Sequence, residues 1–317
     1  MADVLTLTIS PTIDISSRVD HVVPERKLRC SRPTSEPGGG GVNVARVLTR
    51  FDVDVLALIT AGGRSGEALI ELLGAEGIAL QAISIADATR ENITIYEEST
   101  TLQYRFCMPG PVLQPDEWQA ILRAVGQIEP LPQYLVISGS QPPELPDDAI
   151  TEVIRIGRER GMKVVVDTSG PALRAALDEG VFLVKPNLAE LASLEGDRWI
   201  ESDEHLQASA RRLVDEGKAE AVVVSLGAAG ALAVSREGMS RIPAPSVPPQ
   251  SKVGAGDSMV GGIVWGLIQG MTVLEAAVLG VAAGSAAVMS PGTELCARAD
   301  VERLYARSRE QGQLQVA

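Results

Sequence analysis

Lys163 to Lys185 reads K-V-V-V-D-T-S-G-P-A-L-R-A-A-L-D-E-G-V-F-L-V-K. Two short β-branched runs, K-V-V-V-D and V-F-L-V-K, flank an Ala- and Leu-rich segment from Pro171 to Leu177. The runs suit buried strands and the segment between them suits a helix. Two strands joined by a helix pair in parallel. The same rhythm extends outward. Y-L-V-I-S (134–138) precedes it, with a helix expected near Asp147 to Arg160, and a helix near Asp203 to Glu216 followed by A-V-V-V-S (221–225) comes after. Nearer the start, V-L-T-L-T-I-S (4–10) and D-V-L-A-L-I-T (54–60) read as strands, with helices expected from about Val42 and over Gly66 to Leu73. This alternation predicts an α/β fold with a mostly parallel central sheet. Asn92 to Met108 alternates in polarity and predicts a half-exposed hairpin. With no repeat or low-complexity linker, one domain over 1–317 is expected. A small β lid would be built from about 15–35 and 89–107.

Composition narrows the function. The chain has 317 residues, 45% hydrophobic, and a formal net charge of -13. Such a charge repels nucleic acid and anionic membranes, so neither is an expected partner. Three cysteines, Cys30, Cys107 and Cys296, are too sparse for a disulfide framework and give no C-x-x-C pair. M-A-D-V-L-T-L-T-I-S lacks the features of a signal peptide, and a cytoplasmic location is expected. The apolar tract from Met259 to Met289 is broken by Gln269 and Glu275 and is rich in Gly and Ala, which predicts two closely packed buried helices. Gly217-Lys218 is followed by Ala, so no Walker loop is present, and no G-x-G-x-x-G follows the first strand. Two histidines, His21 and His205, argue against His-based zinc sites and Ser-His triads. Any chemistry therefore rests on carboxylates, Lys, Arg and backbone amides.

Four constellations could carry it. P-G-G-G-G-V-N-V-A-R (37–46) puts four glycines before a helix, either as a flexible turn or as backbone approaching a ligand, with Asn43 in the first helical turn. R-K-L-R-C-S-R (26–32) is basic in an acidic chain; either it is a solvated charge run, or Lys27 and Arg29 join Arg90 around a phosphate dianion. V-K-P-N-L-A-E-L (184–191) reads as an ordinary helix start with Asn187 as N-cap, or as Lys185, Asn187 and Glu190 around phosphate and hydrated Mg²⁺. V-G-A-G-D-S-M (253–259) places Asp257 beside the amides of Gly254, Ala255 and Gly256 at a helix mouth. That is an N-cap in a tight turn, or a nest for a transferring phosphoryl group with a base next to it.

With these residues assembled, the chain resembles the ribokinase/PfkB family of carbohydrate kinases over nearly its whole length. P-G-G-G-G-V-N-V-A-R-V-L and S-K-V-G-A-G-D-S-M-V-G-G carry the likeness, supported by N-L-A-E and V-V-V-S-L-G-A-A-G-A. Stretches such as E-R-K-L-R-C, Q-Y-R-F-C-M-P-G and V-I-S-G-S-Q-P-P are most similar to the minor-type bacterial 6-phosphofructokinases. The resemblance implies a ribokinase-like three-layer sandwich with a β lid. It implies Mg²⁺- and ATP-dependent phosphorylation of fructose 6-phosphate at C1, with tagatose 6-phosphate or fructose 1-phosphate as rival acceptors and a non-catalytic sugar-phosphate sensor as a rival of another class. Asp257 is the implied base, and Gly254, Ala255 and Gly256 the anion hole. Asp14, Gly39, Gly40 and Asn43 would hold sugar hydroxyls, with Ser140 favoured over Ser138 for one further contact. Lys27, Arg29 and Arg90 would handle phosphate. Lys185 and Asn187 would serve ATP, Glu190 the Mg²⁺, and Ser225, Gly227 and Gly230 the nucleotide. A homodimer through the lid and a monovalent cation such as K⁺ are also implied. Two departures stand out: Val23, where a near relative has an aromatic residue, and Glu294, where a basic residue is expected.

Overall fold

In the computed structural model the described residues are 2–196, 199–290, 292 and 294–310. Lys163 to Lys185 forms strand β9 (Lys163–Asp167), helix α5 (Gly170–Glu179) and strand β10 (Val181–Val184), paired in parallel as expected. Around this unit runs a nine-stranded sheet. On one side of β10 lie β11 (Ala219–Ser225), β12 (Ala231–Ser235) and β13 (Gly238–Ile242); on the other side of β9 lie β8 (Tyr134–Ser138), β1 (Val4–Thr8), β4 (Val55–Ala61) and β5 (Ala79–Ser84). From β5 to β11 every pairing is parallel, and β12 and β13 close one edge as an antiparallel hairpin.

The sheet is buried on both faces, which is why its strands read as nearly continuous apolar runs. Side-chain alternation divides them between two cores. In β8, Tyr134 and Val136 join one cluster while Leu135 and Ile137 join the other. The first core is covered by α1 (Gly40–Arg50), α2 (Gly63–Ala75), α8 (Ala255–Ile268), α9 (Val273–Val288) and α10 (Arg298–Glu310). The second lies under α3 (Pro115–Gln127), α4 (Ala149–Glu159), α5, α6 (Leu188–Leu194) and α7 (Asp203–Asp215). The result is the expected three-layer sandwich.

The Gly- and Ala-rich tract is the helix pair α8–α9. A Cβ on Gly262 would lie 2.7 Å from the Cβ of Ala283 and 3.0 Å from the Cα of Gly280. Such contact leaves no room for side chains between the helices. Boundaries depart from the sequence expectations in understandable ways. The first strand stops at Thr8, and the helix expected from Val42 starts at Gly40. Sequence pattern did not reveal β5, whose residues are mostly exposed or half-buried, nor the amphipathic α3 and α10.

A second sheet has the order β3 (Thr34–Gly38), β2 (Thr12–Val19), β6 (Arg90–Glu97), β7 (Gln103–Phe106). Its central strands β2 and β6 run parallel, in register from Thr12 opposite Arg90 to Val19 opposite Glu97. The alternating stretch 92–108 supplies β6 and β7, which pair antiparallel. β3 runs directly into α1 through Gly38 and Gly39, so this sheet opens onto the glycine run.

Candidate functional site

The mouth of α8 is built by conformation. Its N-cap, Gly254, is left-handed (φ 72°), a region that a side chain disfavours. The amides of Ala255, Gly256 and Asp257 occupy the first turn, where a helix offers its N–H groups no internal acceptor. Asn43, one turn into α1, donates from Nδ2 to Oδ2 of Asp257 at 2.8 Å. The two helices come this close because Gly261 packs on Val47, where a Cβ would lie 2.5 Å from Val47 Cγ1.

Burial, then the neighbouring charge of Asp167, pushes the Asp257 carboxyl up to about 6, against the opposing pull of Asn43 and Lys185. Lys185, buried at the end of β10, lies 3.0 Å from Asp167 Oδ1. Its Nζ would be 3.6 Å from a Cβ on Gly256, so the ammonium faces the first turn of α8. Burial works against its charge, but Asp167 raises its pKa overall. One mouth therefore joins a carboxylate poised near neutrality, a cation and amides without a partner among the described residues. In the sequence Asp167 stands at one of several polar strand ends that suggest a cleft, with no role of its own assigned.

Beside this mouth stands the end of β2. Asp14 accepts from Asn92 Nδ2 at 3.1 Å, and burial raises its pKa against Asn92, Arg105 and Arg90. A Cβ on Gly38 would collide with its Oδ2, and one on Gly40 with Ser138 Oγ. Gly39 takes φ 107°, leaving the backbone of the glycine run bare above the strand ends. Arg90 donates to the Ser10 carbonyl at 3.0 Å, to Ser140 Oγ at 3.2 Å and to the Met108 carbonyl at 3.3 Å. Arg90 and Ser140 are thus joined, whereas Ser138 is buried against Gly40. Lys27 and Arg29 stand in the exposed segment between β2 and β3 and make no hydrogen bond or ion pair among the described residues. That segment is fastened at both ends, by Val22 N donating to Glu97 Oε1 at 2.8 Å and by Ser17 Oγ donating to the Ser31 carbonyl at 2.8 Å.

On the other side of Lys185, Asn187 and Glu190 form a capping box on α6. Asn187 Oδ1 accepts from Glu190 N at 2.9 Å, and Glu190 Oε2 accepts from Asn187 N at 2.8 Å. The ordinary helix-start reading is therefore realised, and it leaves Glu190 Oε1 outside the box. Burial raises the pKa of Glu190, opposed by the Asn187 N–H; Asp167 adds to the rise and Lys185 counters it. A β-bridge links Asn187 to Ser225. Next to it opens a cleft of about 600 Å³ lined by Asn187, Ser225, Gly227, Leu188, Ile200 and Arg241, among others. Gly230 shapes the β11–β12 turn, where a Cβ would strike the Ile242 carbonyl. Asn92, Arg105 and Arg241 escaped the sequence reading because each sits in an ordinary strand pattern. Of the loop 290–296, Pro291 and Thr293 lie outside the described residues, and Glu294 is exposed.

Residues 2–300 match the family model of pfkB family carbohydrate kinases. A relative named ATP-dependent 6-phosphofructokinase isozyme 2, from Escherichia coli, is 41% identical over 307 residues, covering 96% of this chain and 99% of that one. The structure of phosphofructokinase-2 from E. coli in complex with fructose-6-phosphate superposes with TM-score 0.92 at 40% identity, covering 98% of this chain and 100% of that one. A tetrameric inhibited form from the same organism also has TM-score 0.92 and 40% identity, with the same coverage. A full-length match of this kind, on a chain whose fold brings Asp257, Asn43 and Lys185 together, places the protein in the pfkB family of carbohydrate kinases.

Proposed function

We propose that this protein transfers the γ-phosphoryl group of ATP to the C1 hydroxyl of D-fructose 6-phosphate, giving fructose 1,6-bisphosphate and ADP. The observation that carries the reading is Asp257, a carboxylate raised to about 6 in the first turn of α8, beside Lys185 and that turn's amides. The E. coli relatives, named for ATP-dependent 6-phosphofructokinase activity and described in complex with fructose-6-phosphate, support this choice of acceptor.

In this mechanism the sugar hydroxyl lies against Asp257, which takes its proton as the oxygen attacks phosphorus. The amides of Ala255 and Gly256 meet the charge on the equatorial oxygens, and Lys185 balances the rest. Asn43 holds the carboxylate by one oxygen and leaves the other for the proton. Asp14 and the Gly38–Gly40 backbone orient the sugar hydroxyls. Arg90 and Ser140 face the phosphate the sugar already carries, and Lys27 and Arg29 join them when the small sheet acts as a lid. The cleft beside Asn187, Ser225 and Gly227 takes the nucleotide.

Mg²⁺ fits the residues present: Glu190 keeps one carboxylate oxygen outside its capping box, and Mg²⁺ needs only one or two carboxylates beside phosphate and water ligands. Bound there, it would neutralise charge on the ATP phosphates. The exposed apolar residues Leu102, Phe106 and Met108, on and beside edge strand β7, support a homodimer through the small sheet. No described helix is long and apolar enough to cross a membrane. The sparse cysteines, none of them paired, suit the cytoplasm.

A coupled ADP-release assay with Mg-ATP tests the reading against fructose 6-phosphate, tagatose 6-phosphate, fructose 1-phosphate, fructose and ribose. Preference for fructose 6-phosphate, lost in Asp257→Asn, supports it. Preference for another phosphosugar keeps the mechanism and replaces the acceptor. Tight binding of a phosphosugar without turnover would make the protein a sensor.

A further inference from the structure

Arg46 is an arginine in a core position. It is 2% exposed and lies one turn beyond Asn43 on α1. Its Nε donates to both oxygens of Glu76, at 2.8 and 3.0 Å, and Nη2 donates to Glu76 Oε1 at 2.7 Å. The third arm reaches back into the small sheet: Nη1 donates to the Pro37 carbonyl at 3.0 Å, and Nη2 stands 3.6 Å from Glu36 Oε1. Burying a guanidinium is expensive unless every arm is matched, and here one cation ties together α1, the end of α2 and strand β3.

What it ties down is the sugar side of the site. Pro37 immediately precedes Gly38, which packs on Asp14 with no room for a side chain. Glu36 lies directly opposite Asp14 across the β2–β3 pair, and its charge opposes ionisation of Asp14. Two carboxylates facing each other on adjacent strands repel unless a cation stands between them and the body of the protein. Asn43, on the same helix, holds Asp257. One side chain thus fixes the height of the glycine run above the strand ends and offsets the charge next to the sugar-binding carboxylate.

We infer that Arg46, braced by Glu76, is a positioning residue for the phosphosugar. It acts through Pro37 and Glu36 on the backbone and carboxylate that receive the sugar, and leaves the nucleotide side alone. The inference rests on the kinase reading above. It predicts a split that a merely structural role would not produce: a residue that only supports the fold lowers melting temperature and active fraction, and moves neither KM.

The test is steady-state kinetics on the full-length protein as wild type, Arg46→Lys and Glu76→Gln, with melting curves for each. Arg46→Lys keeps the charge and loses the fork. The KM for fructose 6-phosphate should rise about tenfold or more in Arg46→Lys and by less in Glu76→Gln, while the KM for ATP stays within about twofold. Equilibrium dialysis of fructose 6-phosphate should show the same loss. If Arg46→Lys does not fold, Glu76→Gln decides alone. A sugar KM unchanged in every folded variant, whatever the melting temperature, overturns the inference by itself. If the wild type prefers a different phosphosugar, the KM values are measured with that sugar and still decide the role of Arg46. A wild type that phosphorylates none of them overturns both readings.

Discussion

Asp257 is held between opposing demands. Burial and Asp167 favour its protonated form, while Asn43 and Lys185 favour the carboxylate, and the balance rests at about 6. A base must be ionised before it can accept a proton, so kcat/KM should fall as pH drops through about 6, with a slope approaching tenfold per pH unit. A pH–rate profile checks this. The same shift has a consequence for stability. A carboxyl raised above its unfolded value favours the folded state only at low pH, and that contribution is lost as pH rises through about 6. Above that pH the ionised group sits in the fold at a cost. Asp257→Asn should therefore lose about 10²–10⁴-fold in kcat, yet melt higher than wild type at pH 7–8. Turnover near normal would remove Asp257 from the mechanism.

Two elements carry the site, and each can be probed as an element. Helix α8 is seated by its contact with α9, where Gly262 faces Ala283 and Gly280. Gly262→Ala adds a methyl group to a contact already closed and should destabilise the fold by about 1–3 kcal/mol in urea unfolding. Helix α6 begins with the Asn187–Glu190 box, which serves the helix whatever else it does. Substitutions at Asn187 separate the two roles. Asn187→Ala removes a cap and should lose about 1 kcal/mol. Asn187→Asp keeps a capping oxygen but sets a negative charge at the mouth of the proposed nucleotide cleft. It should retain the wild-type unfolding midpoint and raise the KM for ATP several-fold. An unchanged KM for ATP in Asn187→Asp would reduce Asn187 to a cap.

For the whole molecule, the small sheet has two edges, and β7 is the one flanked by exposed Leu102, Phe106 and Met108. Several exposed apolar residues along one sheet edge invite a partner. Sedimentation velocity should find a dimer, and the pair Leu102→Asp and Phe106→Asp should give a monomer. Because the segment carrying Lys27 and Arg29 joins β2 to β3 of the same sheet, that monomer should also bind fructose 6-phosphate more weakly. An unaltered sedimentation coefficient in the double variant would move the interface elsewhere.

Much of this protein was legible in the sequence because its signals are local. β9, α5 and β10 follow from runs of Val around an Ala-rich segment, since strands buried on both faces and the helices between them write their periods directly into the chain. The glycine run and the G-A-G-D stretch stood out as well, because close packing and left-handed backbone exclude side chains: a Cβ on Gly38 would strike Asp14, one on Gly40 would strike Ser138, and Gly254 takes φ 72°. The tertiary structure alone decided which of those residues meet. Asp167 becomes a charged neighbour of Asp257 only in the folded chain, where the ends of β9 and α8 converge on Lys185, and Asn187 lies beside Ser225 only through a bridge across the chain. Arg46, in the sequence, is one more helical arginine; folding buries it between Glu76 and Pro37, residues on two other elements. Periodicity records what each residue needs from its own segment. Electrostatic balance and hydrogen-bond closure depend on distances between segments, and those exist only once the sheet has set them.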